Sequence, residues 1–127
     1  MSHVIDHAGY AVSDYEVSKA FYTAVLGTLG IKLLVDFAVG QGRHAGYGKD
    51  HPTFWISDGR VGRGQVHVAF TAASRAEVQA FHAVGLSTGG RDNGSPGLRP
   101  HYHPNYYGAF ILDPDGYNVE AVCHVPQ

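Results

Sequence analysis

The chain has a single cysteine, Cys123, among 127 residues. That excludes a disulfide framework within the chain and fits a reducing, cytoplasmic setting. No cluster of lysine and arginine is present; 9 basic residues stand against 11 acidic ones, for a net charge of −2. A nucleic-acid groove needs a basic stripe, so no nucleic-acid partner is expected. No apolar run approaches the roughly 18 residues of a bilayer span, so no membrane segment is expected. Met1 to His7 lack a basic stretch followed by an apolar run, so no signal peptide is expected. Glycine, tyrosine and histidine are plentiful, at 17, 8 and 9 residues. The glycines favour short strands and tight turns. Histidine and tyrosine are side chains that sites use. The length suits one domain, small enough that a homodimer would help it.

The stretch that organises the rest is Asp113-Pro114-Asp115-Gly116-Tyr117-Asn118-Val119-Glu120-Ala121-Val122. Proline second and glycine fourth suit a type I turn with a following bulge, hence a β-hairpin. Its second strand, Tyr117 to His124, carries one acid, Glu120. Alternation puts Glu120 on a face with Asn118 and Val122, and Val119, Ala121 and Cys123 on the other. A carboxylate in so apolar a strand needs a partner. A metal cation would serve, and so would an arginine such as Arg43 or Arg99.

The chain repeats itself. A strand over Val4 to Val12 precedes a helix with Ser13 as its cap and Val17, Phe21 and Val25 as its buried stripe. Strands follow at 31–39, 43–48 and 52–57. After an Asp58–Gly64 linker, a strand over Gln65 to Ala72 leads into a second helix, capped by Ser74 with Glu77 in a capping box. His7 precedes Phe21 by the same interval as His67 precedes Phe81. The order predicts an α+β fold of two βαβββ modules, about 1–58 and 64–127, with a linker at 59–63. Their sheets would form a half-open curved β-barrel with helices outside. Gly89 to Asn105 reads as a long loop, of the kind that serves as a lid or binding loop.

Strand parity turns His7, His67 and Glu120 to the concave side. Two imidazoles and one carboxylate can hold a divalent metal (Fe, Mn, Ni, Co or Zn) with positions left open for substrate or water. The plainer reading is two satisfied histidines and a paired acid. Candidates near the mouth lie in the loop. Tyr102 and His103 could act on a bound molecule, His103 as an acid or base near neutral pH. Arg99, Tyr106, Tyr107 and Trp55 could bind substrate, Arg99 by holding a carboxylate and Trp55 by stacking on a flat ligand. The alternative puts the loop aromatics under a surface loop or in a dimer contact, and Trp55 in the core.

His7, Phe21-Tyr22, Leu26-Gly27, His67-Val68-Ala69-Phe70 and Leu112-Asp-Pro-Asp-Gly-Tyr-Asn-Val-Glu120 together resemble the vicinal oxygen chelate superfamily. Glyoxalase I, bleomycin-resistance proteins, fosfomycin-thiol transferases and extradiol dioxygenases belong to it. The resemblance implies paired βαβββ modules, often dimeric, and metal ligands at His7, His67 and Glu120. Glyoxalase I has a fourth ligand on the fourth strand, where this chain offers only Thr53, Phe54, Trp55, Ile56 and Ser57. The resemblance therefore implies a metal-dependent enzyme on a small-molecule substrate, lyase- or dioxygenase-like. Its alternatives are a non-catalytic, drug-binding protein of the bleomycin-resistance kind and a thiol transferase. The thiol transferases carry a cationic region before the turn, where this chain has the aromatic, largely neutral His101–Gly108.

Overall fold

A computed structural model describes residues 5–40, 42–59 and 67–127. The first half runs β1 (Ala8–Val12), α1 (Tyr15–Gly27), β2 (Lys32–Val39), β3 (Gly42–Gly48) and β4 (Pro52–Asp58). The second runs β5 (His67–Thr71), α2 (Arg75–Ser87), β6 (Arg91–Leu98), β7 (Tyr107–Leu112) and β8 (Asn118–Cys123). Each half makes one four-stranded sheet, in the orders β1-β4-β3-β2 and β5-β8-β7-β6. In both, the first and last strands pair in parallel and the others antiparallel. The fold is α+β, with helices outside two curved sheets that do not close into a barrel. Most of the Asp58–Gly64 linker and the start of the Gln65 strand lie outside the described residues, as do His3 and Val4.

Alternation builds the core. Tyr10 and Val12 of β1, Ala45 and Tyr47 of β3, and Phe54 and Ile56 of β4 are buried on the helix side. Ile111, Val119, Ala121 and Cys123 do the same in the second sheet. In α1 the cap is Asp14, whose carboxylate accepts from the Val17 N–H, and not Ser13. Ser13 instead donates its N–H to Asp115. The buried stripe is Tyr15, Ser18, Phe21, Tyr22, Val25 and Leu26, and Val17 is exposed. The apolar spacing alone misplaced the stripe, because Ser18 and Tyr22 are buried by hydrogen bonds to Asp115 and Asp113.

The second helix starts as expected. Ser74 Oγ accepts from the Glu77 N–H at 3.1 Å, and Glu77 reaches back to the Ala73 N–H at 2.8 Å. Replacing Ser74 with alanine orphans that N–H and should cost about 1 kcal/mol. A urea melt of the variant would read this as a lower midpoint at constant slope. The segment expected to be a long loop is largely β6, which pairs with β7 through two irregularities. Two glycines and a proline in Arg91–Leu98 hide a strand that neighbour pairing forms. Only the turn from Arg99 to Tyr106 remains between the strands.

The two halves share one core. Phe54 and Phe70 rings meet edge-on at 5.1 Å, and Tyr10 and Tyr117 lie 4.5 Å apart. Tyr117 donates its hydroxyl to the Ala11 carbonyl at 2.8 Å, and Tyr22 donates to Asp113 at 2.6 Å. These contacts come from the helix-covered sides and from the turn between β7 and β8. Neither sheet's open face packs on the other sheet among the described residues, and β1 and β5 each end their sheet.

Candidate functional site

The turn between β7 and β8 is the predicted one. Gly116 donates to the Asp113 carbonyl, Asp113 donates to the Tyr117 carbonyl, and Gly116 takes φ +89°, which glycine alone adopts freely. The turn sets the register of β8 and so fixes which face Glu120 takes. Glu120 lies opposite Phe110 of β7 and beside Ala69 of β5. Its carboxylate is 2% exposed.

Two side chains hold that carboxylate. His67 Nε2 lies 2.9 Å from Oε1, and the Tyr106 hydroxyl donates to Oε2. His67 Nδ1 lies 3.1 Å from the Asn118 carbonyl oxygen. That oxygen can only accept, so Nδ1 carries a proton. In the neutral ring Nε2 is then a lone pair facing a carboxylate oxygen. Two acceptors this close need a positive charge between them, either a proton or a metal ion. A backbone carbonyl orienting the far nitrogen of a histidine is also how ligating imidazoles are held. The donor chemistry of His67 and Glu120 therefore fits a divalent cation.

The third expected ligand is elsewhere. His7 precedes β1, its side chain is 61% exposed, and Nδ1 pairs with the Asp6 carboxylate at 2.8 Å. Among the described residues no three His, Cys, Asp or Glu side chains converge. The expected triad is thus not assembled within one chain. The physical reason is the packing of the halves through their helix sides, which leaves each open face without the other. Neither Arg43 nor Arg99 takes up Glu120. Arg43 pairs with Glu16, and Arg99 donates to the Gly97 and Ser95 carbonyls and lies over Phe110 at 5.5 Å.

The loop candidates divide. Tyr106 reaches the site; burial first, then the bond to Glu120, pushes its phenol well above the ordinary range, so it stays a donor. Tyr102 is exposed and packs on Tyr106 and His101. His103 Nδ1 accepts the Asn105 N–H at 3.0 Å, and its Nε2 sits 2.7 Å from His124 Nδ1. Both ring nitrogens of His103 are therefore engaged within the protein. Tyr107 turns to the helix side, where its hydroxyl accepts from Gln79 and Arg75 stacks on its ring. It does not join the site.

Trp55 is on the open face of the first sheet, not in the core. Phe37 meets it edge-on at 6.1 Å and stacks on His44 at 5.3 Å. Three residues of interest were not foreseen. Phe110 stacks on His67 at 6.0 Å, Asn118 orients His67, and His124 pairs with His103. Counting back by two from the turn would have found Phe110. The other two contacts join residues far apart in sequence and left no local signal. An open groove of 1030 Å³ runs past His67, Ala69 and Thr71 of β5, Thr53 of β4 and the Lys49–His51 turn. His67 faces this groove, as do Asp6, Asp50 and His51, and Glu120 is not part of its lining.

Two similar βαβββ halves, with His67 and the buried Glu120 side by side on one sheet face, define the fold class. The sequence matches the Glyoxalase/Bleomycin resistance protein/Dioxygenase superfamily over residues 4–121, and the chain belongs to that family. It is similar to a glyoxalase/bleomycin resistance protein from Albidiferax ferrireducens T118, with 33% identity, TM-score 0.80, and 98% of this chain and 100% of that one covered. It is also similar to glyoxalase I from Zea mays, with 25% identity, TM-score 0.72, and 93% of this chain but 43% of that one covered. A family domain from Frankia sp. EAN1pec shares the fold at 16% identity and TM-score 0.73, over 97% and 98% of the two chains. No curated protein matches the sequence. No helix among the described residues is long and apolar enough to cross a membrane.

Proposed function

We propose that this protein is a metal-dependent enzyme acting on a small molecule, lyase- or dioxygenase-like, with His67 and Glu120 as two metal ligands. The observation that carries the reading is the 2.9 Å approach of His67 Nε2 to Glu120 Oε1, with Nδ1 held on the Asn118 carbonyl. A bound divalent metal would supply Lewis-acid stabilisation to adjacent substrate oxygens. His67 would present its neutral nitrogen, and the buried Glu120 would supply the negative charge. Phe110 and the groove beside His67 would seat the substrate.

The third ligand in this reading is His7 from a second copy of the chain. The exposed position of His7 and the free outer edges of β1 and β5 support a dimer that joins one chain's first half to its partner's second half. Exposed apolar residues on the open face of the first sheet, Val35, Phe37 and Val39, support it too. The fourth strand offers Thr53, Trp55 and Ser57 to that face, so no acid stands in for a fourth ligand.

The test is metal content of protein purified without chelator, beside Glu120→Ala and His7→Ala. The parent should hold near-stoichiometric divalent metal, and each variant should lose it at least tenfold. Mixing the two variants after mild unfolding should restore part of the metal, because each hybrid dimer contains one intact ligand set. Metal-free parent protein after incubation with Fe(II), Mn(II), Ni(II), Co(II) and Zn(II) would sink this reading. The second reading, a non-catalytic binder, is favoured by the aromatic face of Phe37, His44 and Trp55. It would then be pursued with flat aromatic ligands.

A further inference from the structure

Glu120 has two oxygens, and they face different partners. Oε1 faces His67, whereas Oε2 accepts the Tyr106 hydroxyl. Tyr106 is not a loose loop residue. Its carbonyl accepts the Arg99 N–H at 2.8 Å, and its N–H donates to the His103 carbonyl at 3.2 Å. Its ring is wedged between Tyr102 at 4.8 Å, His103 at 5.5 Å and His124 at 5.3 Å. Those contacts fix the phenol before any ligand arrives. The space for it is made by Gly108 on β7. A Cβ there would sit 3.1 Å from Glu120 Oε2 and 3.2 Å from Tyr106 Cε1.

We propose that Tyr106 is a positioning residue that takes Glu120 Oε2 out of the metal's reach, so that Glu120 offers Oε1 alone, beside His67 Nε2. This rests on the metal-binding reading above. The physical argument is one of geometry and burial. A free carboxylate can bind a cation through one oxygen or both. A buried oxygen already accepting a short hydrogen bond from a fixed hydroxyl is poorly available for a second role. Capping Oε2 therefore holds the carboxylate in a one-oxygen mode and leaves a coordination position open for substrate. Tyr106 thus acts on the metal through Glu120, and its hydroxyl is not free to bind substrate.

The test compares Tyr106→Phe with the parent in Co(II) affinity and in the visible absorption of the Co(II)-saturated proteins. The expected result is a 10- to 100-fold weaker Kd, the usual effect of removing an outer partner of a ligand. At saturation the Co(II) bands should also change in position and intensity, because Glu120 is then free to bind through both oxygens. A change confined to melting temperature would mark a merely structural tyrosine and overturn the proposal. Equal Kd and identical spectra would overturn it too, leaving the metal reading intact. A parent that binds no Co(II) would overturn both. Should Tyr106→Phe fail to fold, Gly108→Ala tests the same contact from the other side. Its methyl group pushes between Oε2 and the phenol ring, and the same fall in affinity and spectral change are expected.

Discussion

Replacing Asp113 with alanine should destabilise the fold by roughly 3 kcal/mol, one of the two largest single-residue effects expected here. Asp113 is 1% exposed. Its Oδ1 accepts the Asp115 N–H at 2.9 Å and the Tyr117 N–H at 2.8 Å, and its Oδ2 accepts the Tyr22 hydroxyl at 2.6 Å. The first two bonds close the turn that registers β8. The third ties that turn to α1 in the other half of the chain. Alanine would orphan three donors, at about 1–3 kcal/mol each. Part of that returns because the carboxylate's own burial cost disappears. Asp113→Asn keeps an acceptor for both N–H groups and should cost less. Urea unfolding of both variants checks the order, and equal midpoints for parent and Asp113→Ala would sink the account.

The same residue predicts a pH dependence. Burial pushes the Asp113 carboxyl above its ordinary 3.8, outweighing the lowering effect of its three hydrogen bonds. A folded-state pKa above the unfolded one favours the protonated form in the fold. Its contribution is therefore full below the unfolded pKa and is lost as pH rises through the folded value. Across that window the parent should lose stability with rising pH relative to Asp113→Asn, which has nothing to titrate. Parallel slopes of unfolding free energy against pH would contradict this.

Gly48→Ala is the second large effect, at about 3 kcal/mol. Gly48 closes β3 at a register shift and pairs with Pro52 at the start of β4. A Cβ on it would lie 1.9 Å from the His51 carbonyl oxygen and 2.8 Å from the His51 carbonyl carbon. Both atoms are backbone, so no side-chain rotation relieves the clash. Pro52 follows directly, and its ring limits how the turn can reopen. The comparison that isolates this reason is Gly85→Ala. There the new Cβ meets Ile111 Cδ1 at 2.1 Å, the far end of a rotatable side chain. That variant should cost about 1 kcal/mol. Thermal melts should rank Gly48→Ala well below Gly85→Ala, and the reverse order would contradict the backbone argument. The Lys49–His51 turn lines the groove beside His67, so Gly48→Ala should also disturb that wall.

Much of the architecture was legible because it is local. Alternation along Val119, Glu120 and Ala121 needs only the two-residue period of a strand. The Asp-Pro-Asp-Gly turn needs only the left-handed freedom of Gly116. Ser74 and Glu77 mark a helix start within four residues. Strand β6 was not legible, because Gly94, Pro96 and Gly97 carry no strand pattern of their own. It exists because β7 offers a partner. The cap of α1 was misread by one residue, because Ser13 and Asp14 are both good caps and only the Ser13–Asp115 contact separates them.

The site divides the same way. That Glu120 faces away from the core, and that His67 can share its face, followed from parity in β5 and β8. That His67 meets Glu120 through Nε2 depends on the parallel pairing of those strands, which sets His67 beside Asn118. That Tyr106 caps the second oxygen, while its neighbour Tyr107 turns to α2, was decided where the Arg99–Tyr106 turn enters β7. By itself, the sequence determined the repeated strand–helix order, the turn and the family, because period, caps and turn residues act within a few positions. Only the tertiary structure decided that the modules join by their helix-covered sides. That choice depends on matching Tyr10, Phe54 and Tyr22 to Tyr117, Phe70 and Asp113 across the whole chain. It is the reason His7 lies away from the two residues it was expected to join.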